Sequence, residues 1–200
     1  MKKPWESFEK NYVAVETTDE RTGKTRLQYE YCGPWFVCQN GKAALNRAKG
    51  GVGAALIVSI VCVLWAGIQP SQLNRAGLTS VPYGLSLAAL IFTAFGVGYL
   101  LFSGERVKRP EYERMTRLLS FAPVIQGVLL LLSLIAGLFL LINGKARAAD
   151  AWSLAGYFLG GCAAALIYFV FKALRYREEK NTDFEYEKDF LLGNSKNAKQ

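Results

Sequence analysis

The sequence predicts an all-α membrane protein: a four-transmembrane-helix bundle with a small cytoplasmic N-terminal β-hairpin and a short cytoplasmic C-terminal tail. Three observations carry this. Residues 121–142 read FAPVIQGVLLLLSLIAGLFLLI without one charge, and three further stretches pass the same test. At ~1.5 Å of rise per residue such a helix covers about 33 Å, enough for a hydrocarbon core of ~30 Å. A soluble core helix of that length would carry a polar face, whereas here only Gln126 and Ser133 bear polar side chains. Lys and Arg, finally, concentrate beside the apolar stretches, as juxtamembrane charge does.

The chain has 200 residues, 52% of them hydrophobic, and a net charge of +8. That balance would suit nucleic acid, but no recognition module is visible, and an anionic membrane surface explains the basic residues. The four cysteines, Cys32, Cys38, Cys62 and Cys162, include no CxxC pair. Cys62 and Cys162 fall inside spans, where a thiol acts as a small hydrophobe. Cys32 and Cys38 fall on the side assigned to the cytoplasm, where no stable disulfide is expected. The run CGPWFVC lacks redox-motif spacing.

Three regions follow: a cytoplasmic N-terminal segment at 1–49, the transmembrane domain at 50–174 and a cytoplasmic tail at 175–200. No secretory signal peptide is expected in the polar opening segment. Trp5 and Phe8 could share a face of a short helix after Pro4. Residues 12–17 and 25–31 are rich in β-branched and aromatic residues and flank the polar loop TDERTGK, a hairpin signal. Leu27, Tyr29 and Tyr31 alternate with Arg26, Gln28 and Glu30, so one face is apolar. A lone hairpin is marginal in water, and Trp35–Cys38 offers a third strand. Asn40-Gly41 is a turn, and KAALNRAK is a basic, helix-prone lead-in.

The spans are expected at about 50–68, 82–103, 121–142 and 152–171. Gln69-Pro70 stops the first, and Pro82 suits the first turn of the second. Tyr83, Tyr99 and Trp152 sit where interfacial aromatics belong. The elbow GERVKRPEYERMTR places Tyr112, Met115 and Leu119 on one helical face. This predicts a short helix lying on the membrane, with Pro123 marking a bend into the third span. KALRYREEK is expected to extend the fourth helix. In residues 182–192, alternation of Phe184, Tyr186 and Phe190 with acids reads as strand, while Thr182 with Glu185 matches a helix capping box. Both readings stand. The final GNSKNAKQ is expected to be disordered.

Basic residues orient the chain. Twelve lie near spans on the side of the termini and elbow: Lys42, Arg47, Lys49, Arg106, Lys108, Arg109, Arg114, Arg117, Lys172, Arg175, Arg177 and Lys180. Three, Arg75, Lys145 and Arg147, lie on the other side. This places both termini in the cytoplasm and the protein in the cell membrane. Among the twelve, Arg106, Lys108, Arg109, Arg114 and Arg117 form the basic elbow at the membrane surface.

Absences narrow the chemistry. The spans hold no Asp, Glu, Lys or Arg between their ends, and the chain has no His. A proton-coupled transporter needs an ionisable group at depth. Metal ligation lacks a recognisable spacing, no nucleophile–base–orienter set assembles, and GGVG at 50–53 is not a phosphate loop. No catalytic, cofactor or metal residue is therefore assigned.

What is present points to contact surfaces. Gly156, Gly160 and Ala164 form a small-residue row on the fourth span, which suits packing within the bundle or docking of a partner's helix. Gly51, Ala55 and Ser59 form a similar row on the first span. Gln126 is the strongest polar group in the spans and is expected to bond a neighbouring helix. Tyr29, Tyr31, Trp35 and Phe36, with Phe184, Tyr186 and Phe190 of the tail, form a cytoplasmic docking set, and the tail is a candidate strand to pack on the hairpin. The first functional reading is a non-enzymatic accessory, scaffold or partner-binding subunit acting through its cytoplasmic face. The alternative is an oligomeric transporter or channel for a small or hydrophobic solute. A third, a membrane enzyme, would need its site in the elbow or tails. The expected partners are the lipid bilayer and another protein or a second copy; no small-molecule substrate is readable.

Overall fold

The computed structural model describes residues 11–18, 25–144, 147 and 150–181. The chain runs β1 (Tyr12–Thr18), β2 (Thr25–Tyr31), β3 (Trp35–Cys38), α1 (Lys42–Ile68), a single 3-10 turn (Leu73–Arg75), α2 (Gly77–Phe102), β4 (Arg106–Lys108), α3 (Arg109–Ile142), α4 (Ala151–Ala173) and β5 (Tyr176–Glu179). All four helices are long and apolar enough to cross a membrane. By its contacts the chain divides into two units, Met1–Val37 with Arg106–Arg109 and Arg177–Gln200, and Cys38–Glu105 with Pro110–Tyr176.

The first unit is built of strands. β1 and β2 pair antiparallel, from Tyr12 opposite Tyr31 to Thr18 opposite Thr25. Residues 19–24 of the expected loop, together with Trp5, Phe8, Phe184, Tyr186 and Phe190, lie outside the described residues. The third strand forms as expected but does not join the hairpin. It is the centre of a separate sheet in the order β4-β3-β5. Trp35 stands opposite Lys108, Phe36 opposite Val107 and Val37 opposite Arg106. Two strands depart from expectation: the elbow supplies β4, and KALRYREEK leaves the helix at Ala173 and becomes β5. Leu174 is extended at φ −76°, ψ 124°, which ends α4. Charged, exposed residues such as Arg177 and Glu178 tolerate helix or strand equally, so hydrogen bonding to β3 decides between them.

The second unit is the helical bundle. Its lead-in and first span are one helix, because nothing in KAALNRAK breaks the pattern before residue 50. α1 buries Leu45, Val52, Ala55, Ser59, Val63 and Ala66, a single stripe at spacings of three, four and seven. α2 starts at Gly77, five residues before Pro82, which therefore lies inside the helix. α3 is continuous over 34 residues through Pro123. The separate surface helix expected before it is absent, because Met115 and Leu119 belong to the core with Val97, Leu100 and Phe171. Tyr112 packs on Tyr176, with ring centroids 5.2 Å apart.

The bundle is apolar on its outside as well as in its core, which also holds several polar side chains. Ser59, Ser86, Thr93, Gln126, Ser133 and Ser153 are buried, while Phe102 is 93% and Ile142 83% exposed. An exterior of this kind fits hydrocarbon rather than water. Inside, α1 and α4 make the most extensive helix–helix contact. A Cβ on Gly156 would stand 2.7 Å from the Ala66 Cβ and 2.8 Å from the Cys62 carbonyl oxygen. One on Gly160 would stand 2.9 Å from Val63 Cγ2. Only hydrogen fits at either place.

Each helix C-terminus leaves backbone carbonyls without helical donors, and in each case a side chain supplies one. Asn74 Nδ2 donates to Ala66 O at 2.8 Å and Gln69 O at 3.1 Å beyond α1. Lys49 Nζ donates to Leu101 O at 3.2 Å and to Ser103 O at the end of α2, where its charge also suits the helix dipole. Asn143 Nδ2 donates to Phe139 O at 2.7 Å in α3, followed by Gly144 at φ 66°. Asn40 Nδ2 donates to Ala173 O at 3.4 Å, and its Oδ1 accepts from the Arg175 amide at 2.8 Å. Asn40 can do so because Gly41, at φ 78°, turns the chain beside it.

Gly156→Ala is expected to destabilise the bundle by about 1–3 kcal/mol through overpacking against backbone. Gly84, whose Cβ would meet nothing within 4 Å, is the control. Gly84→Ala should hold the melting temperature or raise it, by up to about 1 kcal/mol of helix propensity. Thermal unfolding in detergent micelles distinguishes the two.

Candidate functional site

The fourth-span row turns inward. Gly156 and Gly160 lie against α1, and Ala164 is fully buried. Of the two uses open to that row, packing within the bundle is the one this geometry meets. Gln126 is also fully buried. Its Nε2 donates to Ser59 Oγ at 2.8 Å, and Ser59 Oγ donates to Gly160 O at 3.5 Å. This chain crosses from α3 through α1 to α4 at Gly160, where a Cβ would already crowd Val63. Gln126 Oε1 has no hydrogen-bond partner. Composition pointed to Gln126; its partner Ser59 was visible only as one small residue in a row.

At one end of the bundle the loops on either side meet on Asp150. Its Oδ1 accepts from the Gln72 amide at 3.2 Å, and its Oδ2 from the Arg147 amide at 2.8 Å. Burial alone would raise this carboxyl, but those amides and the Ser71 hydroxyl outweigh it and hold the pKa below its ordinary value. Beside it, Tyr157 OH donates to Asn74 Oδ1 at 2.5 Å, and Tyr83 OH to Val63 O at 2.9 Å. Asn74 thus closes α1 and holds Tyr157 at once. Neither Asn74 nor Asp150 was assigned a role from the sequence. The one available signal was an Asp immediately before a helix start.

In the strand unit, Tyr31 is a hub. Its hydroxyl donates to Pro34 O at 2.6 Å and accepts from the Arg109 amide at 2.9 Å. Tyr12 and Trp35 meet its ring edge-on, each at 5.3 Å. Lys108 Nζ lies 5.7 Å from its centroid. Burial pushes the phenol above its ordinary pKa, partly offset by the Arg109 amide. Asn181 Nδ2 donates to Tyr31 O at 3.0 Å. Tyr31, Trp35 and Lys108 are thereby brought together, whereas Tyr29 is exposed. Arg106, Arg114 and Arg117 are exposed as well.

Among the described residues no group of three His, Cys, Asp or Glu side chains could hold a metal ion. The four cysteines form no disulfide. No protein-family model, characterised protein or solved structure matches this chain.

Tyr31→Phe keeps the ring and removes both hydrogen bonds of the phenol. The expected cost is about 1–2 kcal/mol, read as faster amide hydrogen exchange at Arg109. For Asp150, a depressed folded-state pKa stabilises the protein above the ordinary value of 3.8. That contribution is lost as pH falls through the depressed value. Asp150→Asn should flatten this acid limb in melts followed against pH.

Proposed function

We propose that this chain is a multi-pass integral membrane protein with both termini in the cytoplasm, acting as a non-enzymatic accessory or scaffold subunit that binds a protein partner through its cytoplasmic face. The observation that carries the reading is the β4-β3-β5 sheet. β3 runs into the start of α1, β4 joins the end of α2 to the start of α3, and β5 follows the end of α4. All three strands therefore come from segments that the positive-inside pattern assigns to one side. Among the described residues β4 and β5 are its edges, and an edge strand offers unpaired backbone groups to a partner's strand. The bundle itself argues against chemistry at depth. Among the described residues its buried polar groups within the spans are hydroxyls and one amide, and the one buried acid, Asp150, precedes the fourth helix.

A tagged chain extracted in mild detergent is expected to bring down a stoichiometric protein partner. Glu178→Pro, which removes an outward-facing edge donor from β5, should release it while the bundle's melting temperature holds. Recovery of the chain alone after in-cell crosslinking would count against this reading. Solute flux through liposomes containing only this chain would replace it with a channel or carrier.

A further inference from the structure

A groove of about 410 Å³ runs between α3 and α4. Val124, Gly127 and Leu131 line it from α3, and Gly161, Ala165 and Phe169 from α4. Its floor is formed where a Cβ on Gly127 would stand 3.9 Å from Gly161 O, and one on Gly161 4.0 Å from Gly127 O. The two glycines let the helices approach and leave a trough above them, walled by larger side chains. No charged residue lines it.

The trough has a depth and a polarity. Its α3 wall runs from Pro123 to Leu134, about 17 Å of helix, or roughly half of a ~30 Å hydrocarbon core. A partner's spanning helix would need the full depth; an acyl chain from one leaflet needs half. Continued toward the start of α3, the same helical face carries Ser120 and Thr116, and Arg117 lies two turns before Val124. On α4, Lys172 lies one turn beyond Tyr168, a lining residue, with its Nζ 5.7 Å from that ring. Both cations are exposed. Thr116 Oγ1 and Ser120 Oγ have no hydrogen-bond partner. Pro123 has no N–H to give, so it supplies no helical donor to the Leu119 carbonyl either. Glu113, one turn before Thr116, is the acid on this face. A neutral, half-depth trough therefore opens toward two exposed cations.

We propose that the α3–α4 groove is a binding site for one anionic phospholipid. An acyl chain lies in the trough, and the phosphate is held by Arg117 and Lys172. This rests on the membrane reading above, and it assigns a resident lipid to the leaflet on the side where α3 begins.

The test uses the full chain purified in detergent, with lipid occupancy read by native mass spectrometry. The probes are phosphatidylglycerol, phosphatidylcholine of matched chains, and glycerol phosphate without chains. Phosphatidylglycerol should be retained at least roughly tenfold over phosphatidylcholine, the scale of a charge-assisted hydrogen bond. Arg117→Gln with Lys172→Gln should bring the two lipids to parity. Ala165→Phe, at an exposed position, should fill the trough and remove retention of both. Cys162→Phe, also exposed and lining the groove, gives the same readout if the first variant fails to fold. Equal retention of the two lipids, a preference that survives loss of both cations, or glycerol phosphate binding as well as the lipid would overturn the proposal. Carbonate washing of membranes separates the two levels: a chain that stays in the pellet but shows no preference sinks the lipid site alone, and a chain released into the wash sinks the membrane reading with it.

Discussion

The bundle depends on how closely α1 and α4 approach at Gly156 and Gly160. In hydrocarbon, apolar side chains gain nothing by leaving lipid for one another, so helices are held by dispersion at short range and by polar contacts. Both are present at this crossing. The missing Cβ atoms bring the α4 backbone onto Ala66 and the Cys62 carbonyl, and the short separation lets Ser59 reach across to Gly160 O. Gln126 then ties α3 to the same point. A larger side chain at either glycine would part the helices and the polar chain together.

The ends of the helices obey a second constraint. Carbonyls left over at a helix terminus cannot stay unpaired where water is scarce. Here the donors come from elsewhere in the chain: Asn74 serves α1, Lys49 serves α2 and Asn40 serves α4. Because Asn40 precedes α1 and Lys49 lies within it, these caps also register the first helix against the second and fourth. Asp150 performs the complementary task with amides from two loops. A carboxylate there accepts where the carbonyls cannot donate.

Beyond these constraints, two surfaces stand out. One is the β4-β3-β5 sheet, assembled from three separated segments of the chain. The other is the half-depth trough between α3 and α4 with its cationic mouth.

Hydropathy by itself determined the number and placement of the long apolar helices, because a run of twenty uncharged residues has few other fates. β-Branched and aromatic composition likewise marked both arms of the hairpin, with alternation in the second, and a third strand was offered at Trp35–Cys38. The boundaries failed where a distant partner decides the local state. Met115 and Leu119 read as a membrane-surface face until Val97 and Phe171 are packed on them, which makes α3 one helix. Residues 106–108 and 176–179 are too short and too charged to declare themselves, and become strands by bonding to β3. The same holds for Asn74, Asp150 and Ser59, whose roles lie in what they reach across 67 to 101 positions of sequence in the case of Ser59. Solvent preference is a property of each residue and its near neighbours, so it is legible in order along the chain. Hydrogen-bond partners and close approaches belong to pairs, and only the folded arrangement of the helices brings those pairs together.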